Sequence, residues 1–468
     1  MEHRIKRDEY LLNLITDFEN NLSVGAQSYF SEKAFSAIIA YYESESMLVN
    51  ALEVIDLAHT QFPYRAEYLI AKSRVLLNMN KAKKALKVIK AAKKISPFEF
   101  DILILEAKAL TSLKEFDQAS GILEDLKTTC SESDKIEILL VEAKMKELSK
   151  QFAEMYNCLS EAIILDPTQE ELYEELWLAV ELSKNFHQCI DLHLRIIDEK
   201  PYSYLAWNNL GHAYSYIGEY EKAIDAFEYT FIINKNFESG YMDAADLCIQ
   251  INDHERALKF LLEAIELMDH DSDILLLIAS CYINIKEYRK AKYYLFKAIK
   301  LEPYSDEIYF NLGLCYSQEK DWLNAIQSFH KAISLEDSIE DYYTHIGRAY
   351  YELGSFDKAG QFLSKATTIA PEESAYWSEY AGFLIKQGEV NAALTILEEA
   401  EEFTFGADLL FCQGVAYLKL GYHKQAFNLF EEALEEDPSQ YKLIYNIDPE
   451  LMLNESLNAM ISYYNFES

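Results

Sequence analysis

Apolar and small residues recur along this chain with a period of 34 positions. The clearest unit, residues 204–237, places Trp207, Gly211, Ala223 and Phe227 at offsets that recur in both directions along the sequence. A fixed period of this length, with apolar residues at helical spacing inside it, is typical of helical-repeat arrays whose units pack only on their neighbours. The pattern therefore predicts repeated pairs of antiparallel helices rather than one globular core.

Twelve such units fit the sequence, with one step of 36 near residues 129–133 and one of 33 near Phe405. Small residues at the eighth, twentieth and twenty-seventh places let two helices approach closely, and large apolar residues fill the facing holes. Seven of the eight prolines fall at the thirty-second place, where a second helix must stop. The units begin at Glu32, Ala66, Phe100, Ile136, Glu170, Tyr204, Glu238, Ser272, Asp306, Glu340, Ser374 and Ala407.

This register resembles the tetratricopeptide repeat (TPR) over residues 32–439, and it is weaker in 100–135 and 136–169. The resemblance implies an all-α fold, a superhelical solenoid of about twelve helix-turn-helix repeats whose concave groove is lined by the first helix of each pair. The residues before the array, 1–31, are then expected to hold a lead-in or capping helix. The match is most specific in 204–237, 306–339, 340–373 and 407–439.

Residues 440–468 depart from the repeat, and we expect a C-terminal capping helix over Asp448–Tyr464, followed by a tail. An array without such a cap would expose the core of its last repeat. The mostly apolar run Leu443–Ile447 has a second interpretation, as a segment that docks on a partner.

A formal net charge of -35 argues against broad nucleic-acid binding, which needs a surplus of Lys and Arg. The first 20 residues are charged throughout and do not resemble a secretory signal, and no run of about 18 apolar residues predicts a membrane span. The seven cysteines are scattered and form no CxxC pair. These features together predict a soluble, acidic, cytoplasmic protein.

The sequence contains none of the motifs that would indicate a common active site. There is no GxGxxG, GxxxxGK[ST], HExxH or GxSxG, and no Cys/His spacing suggests zinc. Every segment long enough to be a catalytic domain is already occupied by repeats. We therefore expect no enzymatic activity, no cofactor and no metal.

Two sets of residues at groove-lining places are candidate partner sites. Arg74, Lys108 and Lys144 hold the ninth place of three consecutive repeats, where a positive stripe could bind an acidic segment, unless nearby acids pair with them. The second set mixes amides with apolar anchors that could hold an extended peptide, or could pack between adjacent helices instead. It comprises Asn208, Asn209, His212, Tyr216, Met242, Leu276, Leu277, Phe310, Asn311 and Leu314.

Two further features depart from the rest of the array. Residues 81–94 carry lysine at seven of fourteen positions, either as a solvated helix face or as a surface for an anionic partner. The fifth repeat has Trp177 at the small eighth place and His193 where Phe or Leu is usual. We expect this repeat to form a softer joint.

The functional hypothesis is a scaffold or adaptor that binds a peptide or helix of a partner protein in the TPR groove. One alternative is a structural subunit of a large or self-associating assembly. Another is an RNA-processing scaffold, which the net charge disfavours unless only residues 81–94 are used. Fold does not settle function, so the partner, pathway and oligomeric state stay open.

Overall fold

The computed structural model describes residues 12–20, 29–267 and 271–467, and the chain divides into two compact units, Met1–Gly240 and Tyr241–Ser468. The described residues form helices and turns with no β-strand. The predicted all-α class and the helix-turn-helix repeats are confirmed. Within each unit, consecutive helices pack on one another along the chain.

Unit 1 contains one helical segment and six helix pairs, in which the even-numbered A helix precedes the odd-numbered B helix. Repeat 1 is α2–α3, and the later pairs follow in order. The segments are α1 (12–20), α2 (Glu32–Ser44), α3 (Leu48–Gln61), α4 (Ala66–Asn78), α5 (Ala82–Ala92), α6 (Phe100–Ser112), α7 (Phe116–Thr129), α8 (Glu132–Leu148), α9 (Phe152–Leu165), α10 (Glu170–Ser183), α11 (Phe186–Glu199), α12 (Tyr204–Tyr216) and α13 (Tyr220–Ile233).

Unit 2 contains the next six pairs and a C-terminal extension, and its first A helix begins just before the boundary. The pairs are α14 (Glu238–Gln250), α15 (His254–Leu267), α16 (Ser272–Asn284), α17 (Tyr288–Leu301), α18 (Asp306–Gln318), α19 (Trp322–Leu335), α20 (Glu340–Glu352), α21 (Phe356–Ile369), α22 (Ser374–Gln387), α23 (Val390–Ala400), α24 (Ala407–Lys419) and α25 (His423–Glu436). The extension holds the 3-10 helix Pro438–Tyr441, α26 (Lys442–Ile447), the 3-10 helix Pro449–Leu453 and α27 (Glu455–Glu467).

Eleven of the twelve A helices begin at the residue that the sequence register gives, and the exception is α8. This helix begins at Glu132 rather than Ile136 because a capping box forms in front of it. The Ser131 side chain accepts a hydrogen bond from the Asp134 amide, while the Asp134 carboxylate accepts one from the Ser131 amide. Two backbone donors at the helix start are thereby satisfied, which extends α8 by a full turn.

Every A helix is followed by a left-handed residue at the fifteenth place of its repeat. Four of these residues are glycines, such as Gly354 with φ 71°. The other eight carry side chains, including Lys184 with φ 60° and Lys286 with φ 64°. A left-handed residue lets the chain reverse within about three residues, so the B helix packs back on the A helix.

The helical segment α1 covers the open side of repeat 1. Ile15 and Phe18 are buried in one cluster with Phe35 and Ile38 of α2. The lead-in or capping helix expected over residues 1–31 stays a prediction, and residues 1–11 and 21–28 lie outside the described residues.

Candidate functional site

The A helices of unit 2 carry a set of half-buried apolar side chains at the predicted groove-lining places. Met242 lies on α14, Leu276 and Leu277 lie on α16, and Phe310 and Leu314 lie on α18. Apolar side chains that stay partly accessible next to one another are typical of recognition surfaces. We call these five residues the apolar face.

Phe310 contributes to the packing of repeats 9 and 10 as well as to this face. Its ring centroid lies 4.7 Å from that of Tyr342, 5.7 Å from Phe329 and 5.2 Å from His345. The neighbouring Asn311 donates its amide to the Glu307 carbonyl of its own helix at 3.0 Å. A substitution at Phe310 would therefore disturb folding, whereas Leu276 and Leu277 are cleaner probes of recognition.

A cavity of about 730 Å³ opens on the A helices of repeats 9 to 11. We call it the basin. Its wall is closed at one end by α26, which follows the last repeat. A ligand lying along these helices would therefore be stopped at one end by α26. The basin is lined by Arg348, Glu379, Phe383, Lys386, Asn446 and Ile447, among others.

The charged groups of the basin are only partly paired. Arg348 on α20 makes a bidentate ion pair with Glu379 on α22, and this hydrogen bonding raises the pKa of the arginine. Lys320 and Lys386 also line the basin, and neither makes an ion pair within the described part of the chain. Burial lowers the pKa of His345 to about 4, so its imidazole is neutral at pH 7.

The apolar run of the C-terminal extension packs on the A helices of the last two repeats. Ile444 and Ile447 of α26 are buried in one cluster with Phe411 and Val415 of α24. Gly382 of α22 leaves room for Ile447, whose Cγ1 would lie 3.3 Å from a Cβ at that position. The run therefore packs on the chain's own repeats.

An ion pair and a second helix hold this extension in place. Lys419 at the end of α24 pairs with Asp448 at 2.8 Å, just after α26. The expected single helix over Asp448–Tyr464 is divided, because Pro449 opens a 3-10 turn and α27 begins only at Glu455.

In unit 1, the two asparagines of the predicted groove set are both buried. Asn209 donates its amide to the Tyr173 carbonyl at 3.0 Å, which joins α12 to α10. Asn208 lies 3.2 Å from His212 through its Nδ2, while its Oδ1 is buried without a donor among the described residues. Asn209 therefore serves packing between repeats 5 and 6, and its contact with a partner stays a prediction.

Trp177, which the sequence marked only as a misfit, brings His212 and Tyr216 together. Its ring centroid lies 5.1 Å from His212 and 5.5 Å from Tyr216. Phe186 stacks on Tyr216 at 4.9 Å, and the Tyr216 hydroxyl donates to Glu181 at 2.6 Å. The signal for this aromatic cluster was a tryptophan at a place that is small in most other repeats.

Family models for the tetratricopeptide repeat match six segments of this chain. One model matches residues 204–228, 239–267, 272–305, 306–338 and 340–373, and a second matches residues 407–440. The matched segments coincide with helix pairs in the same 34-residue register. The chain is a multi-repeat TPR protein.

No curated protein sequence matches the chain, whereas many solved structures do. A MamA crystal structure is 24% identical and has a TM-score of 0.33, over 34% of this TPR protein and 94% of MamA. YrrB, described as a TPR protein with an unusual peptide-binding site, is 18% identical with a TM-score of 0.34, over 39% and 95%. The Cut9–Hcn1 structure of the APC/C is 14% identical with a TM-score of 0.36, over 92% and 95%. Similarity at this level gives no reason to expect that this protein shares a binding partner with any of these three proteins.

The positive stripe predicted in the first TPR repeats is paired with acids. Arg74 binds Glu43 at 3.0 Å, Lys108 binds Glu137 at 2.5 Å, and Lys144 binds Glu147 at 2.6 Å. Arg74 and Lys144 are exposed, so their pairs contribute little stability, whereas Lys108 is half-buried. An acidic ligand would have to displace a carboxylate from each cation, which weakens the case for this stripe as a dock.

The described residues include no group of three or more His, Cys, Asp or Glu side chains placed to hold a metal ion. Burial raises the pKa of Cys189 and Cys315 to about 12, so neither thiol is ionised at neutral pH. A thiol that stays protonated is a poor nucleophile. Among the helices in the described ranges, none is both long and apolar enough to cross a bilayer.

Proposed function

We propose that this TPR protein is a non-enzymatic scaffold whose A helices in unit 2 bind a short apolar helix or peptide of a partner protein. The observation that supports the proposal is the position of α26. This six-residue helix buries Ile444 and Ile447 against α22 and α24, so the chain already uses its A helices to hold a short helix in cis. No described segment covers the apolar side chains on the A helices of repeats 7 to 9 in this way.

The proposed ligand has two chemical features. Apolar anchors would pack on Leu276, Leu277 and Leu314, with Met242 beside them and Phe310 as their support. An acidic group near one end would meet Lys320 and Lys386 in the basin, where charge-assisted hydrogen bonds are stronger than neutral ones. Binding in this mode is that of a helix laid into a groove, with anchors spaced by one turn.

Unit 1 supplies a second proposed contact surface, made by His212 and Tyr216 beside Trp177. Tyr216 is about half exposed, and aromatic residues of this kind often carry much of the energy of protein interfaces. Asn208 and Asn311 are proposed as polar neighbours of the two surfaces. Arg74, Lys108 and Lys144 are given no primary role because each is already paired.

The test is affinity capture from native cytosol with three forms of the full chain, followed by mass spectrometry. The forms are the wild type, a Leu276→Gln, Leu277→Gln variant, and a Leu323→Gln control. Leu323 is 66% exposed on the B helix α19, so the control makes the same chemical change away from the A helices. Circular dichroism and urea unfolding check that all three forms fold alike.

We expect a protein that the wild type and the Leu323→Gln control retain and that the double variant loses. Losing two apolar anchors costs enough affinity to release a micromolar partner, because each buried leucine contributes roughly 1.5–3 kcal/mol. Equal retention by all three forms would rule out the apolar face. A wild type that captures nothing and shows a concentration-dependent mass would favour the structural-subunit alternative.

A further inference from the structure

Helix α5 presents an unpaired lysine surface on a strongly acidic protein. The helix buries Ala82, Ala85, Ile89 and Ala92, packs Leu86 and Val88 partly against the same core, and exposes its lysines. Among the described residues Lys93, just after the helix, pairs with Glu106 at 2.5 Å, whereas the lysines of the helix and Lys94 form no ion pair. The exposed, unpaired set is Lys83, Lys84, Lys87, Lys90 and Lys94, which we call the lysine face.

Within the described ranges the lysine face makes no ion pair, which sets it apart from the cations around it. Lys72 pairs with Asp56, and Arg74 and Lys108 also have carboxylates within 3.0 Å. Residues 66–99 contain nine basic and two acidic residues, in a chain whose net charge is -35. On one side of α5, Lys90 lines a cavity together with acidic residues of repeat 3, among them Glu106, Glu115 and Asp117. The positive surplus therefore rests on the other lysines of the face, since ionic screening limits the reach of charge to about 8 Å at physiological ionic strength.

Two almost fully exposed aromatic side chains lie at the loop that follows α5 and at the equivalent loop one repeat earlier. Phe98 is 90% exposed and Tyr64 is 88% exposed. Each follows the proline at the thirty-second place, and the two loops are therefore one repeat apart on the same edge of the stacked pairs. Ile95, just beyond the end of α5, adds a third apolar side chain.

We propose that the lysine face and the two aromatic loops dock this protein on an anionic lipid bilayer. Lysines attract the acidic headgroups, while Phe98, Tyr64 and Ile95 enter the boundary between headgroups and acyl chains. The docking surface lies on a B helix and its loops, so it is separate from the A helices that the proposed function uses. A scaffold held this way would gather its partner at a membrane surface.

The residue types favour a bilayer over the other anionic partners. All seven cations of residues 81–94 are lysines, which act as point charges, whereas arginine is the residue that binds phosphate groups in a fixed bidentate geometry. Isolated side chains that protrude from loops need a soft apolar medium rather than a matching pocket. An isoleucine beside the rings fits acyl chains but offers no flat face on which a nucleic-acid base could stack.

The test is co-sedimentation of the full chain with vesicles of phosphatidylcholine alone and of phosphatidylcholine mixed with phosphatidylserine. We expect binding to the mixed vesicles only, weakening as salt is added. The variant Lys83→Gln, Lys84→Gln, Lys87→Gln should lower the partition coefficient about fivefold for each lysine removed. The variant Tyr64→Ser, Phe98→Ser should lower it about tenfold for each ring, because their apolar burial is lost.

Two matched controls separate this surface from bulk charge and from exposed rings in general. Lys331→Gln, Lys358→Gln, Lys365→Gln removes the same charge from exposed positions on B helices of unit 2 and should bind like the wild type. Tyr202→Ser changes an 83% exposed tyrosine at the same repeat place, after a helix without the lysine face, and should also bind normally.

Three results would overturn the proposal. The first is a wild type that stays in the supernatant with mixed vesicles at low salt. The second is equal sedimentation of the lysine variant and the wild type. The third is tight, salt-sensitive binding of single-stranded RNA through the same lysines while the vesicles bind nothing, which would assign the face to nucleic acid.

Discussion

Gly313 of α18 lies directly under the ring of Phe329 on α19. A Cβ added at Gly313 would stand 2.4 Å from Cε1 of that ring, and Phe329 is fully buried. The same relation joins Gly211 to Phe227 at 2.5 Å. In five other repeats an alanine at the eighth place is matched by a leucine at the twenty-fourth, as in Ala279 and Leu295. In these repeats the residues at the two places are complementary in size.

Gly313→Ala should destabilise unit 2 by about 1–3 kcal/mol, the usual cost of overpacking a rigid core. The double variant Gly313→Ala, Phe329→Leu should recover most of this loss because it recreates the alanine–leucine pair found elsewhere in the chain. Urea unfolding of the single and double variants measures the coupling. Gly121→Ala is the control, since nothing lies within 4 Å of its added Cβ, and it should leave stability equal or higher. Additive effects of the two changes would contradict size complementarity.

The left-handed turn residues allow a second prediction. Lys286 has φ 64° and is exposed, so its side chain adds strain without packing. Lys286→Gly should raise the free energy of unfolding by about 0.5–1 kcal/mol, because glycine adopts this conformation without a steric penalty. The reciprocal change Gly354→Ala, at φ 71° with open space around it, should lower the free energy of unfolding by a similar amount. Thermal or urea unfolding measures both changes. No change in the free energy of unfolding for either variant would refute the prediction that the left-handed conformation strains a side-chain-bearing residue.

His193, at the twenty-fourth place of repeat 5, departs from the size complementarity described above, and it makes stability depend on pH. It faces no small residue, because Trp177 occupies the eighth place, and its ring stacks on Tyr173 at 5.8 Å instead. Neither ring nitrogen has a hydrogen-bond partner among the described residues, and burial lowers the pKa of His193 to about 3.

Acid should therefore destabilise this protein in a defined window. Between the unfolded pKa of about 6.5 and the folded pKa of about 3, the unfolded chain binds a proton at His193 and the folded chain does not. The stabilising contribution of the neutral His193 is fully present above pH 6.5. Through this group alone, the free energy of unfolding falls by roughly 2 kcal/mol from pH 7 to pH 5. Urea unfolding at several pH values measures this effect. In His193→Phe the free energy of unfolding should fall less between pH 7 and pH 5 than in the wild type, by the amount attributed to His193. Parallel pH profiles for the two proteins would refute the assignment.

The repeat register and the starts of eleven A helices could be predicted because each unit packs only on its neighbours. In such an array the pattern at one position repeats every 34 residues, so local sequence carries most of the fold. The start of α8 was missed because the capping box of Ser131 and Asp134 depends on two side chains rather than on the apolar pattern.

The fifth repeat shows where pattern and packing diverge. The sequence marked Trp177 as a misfit, but only the structure shows that α10 packs more extensively on α9 than on its own partner α11. The bulky indole packs against His212 and Tyr216. The softer joint expected there stays a prediction.

By itself, the sequence determined the helical class, the period, the close-packed small places and the family resemblance, because these depend on the spacing of residues along one chain. Tertiary structure decided which polar side chains are available to a partner. Asn209 is used by the Tyr173 carbonyl, Arg74 by Glu43, and the A-helix surface of the last two repeats by Ile444 and Ile447. Each of these pairings joins residues of different repeats or of the extension, and their geometry is set by packing that no single repeat contains.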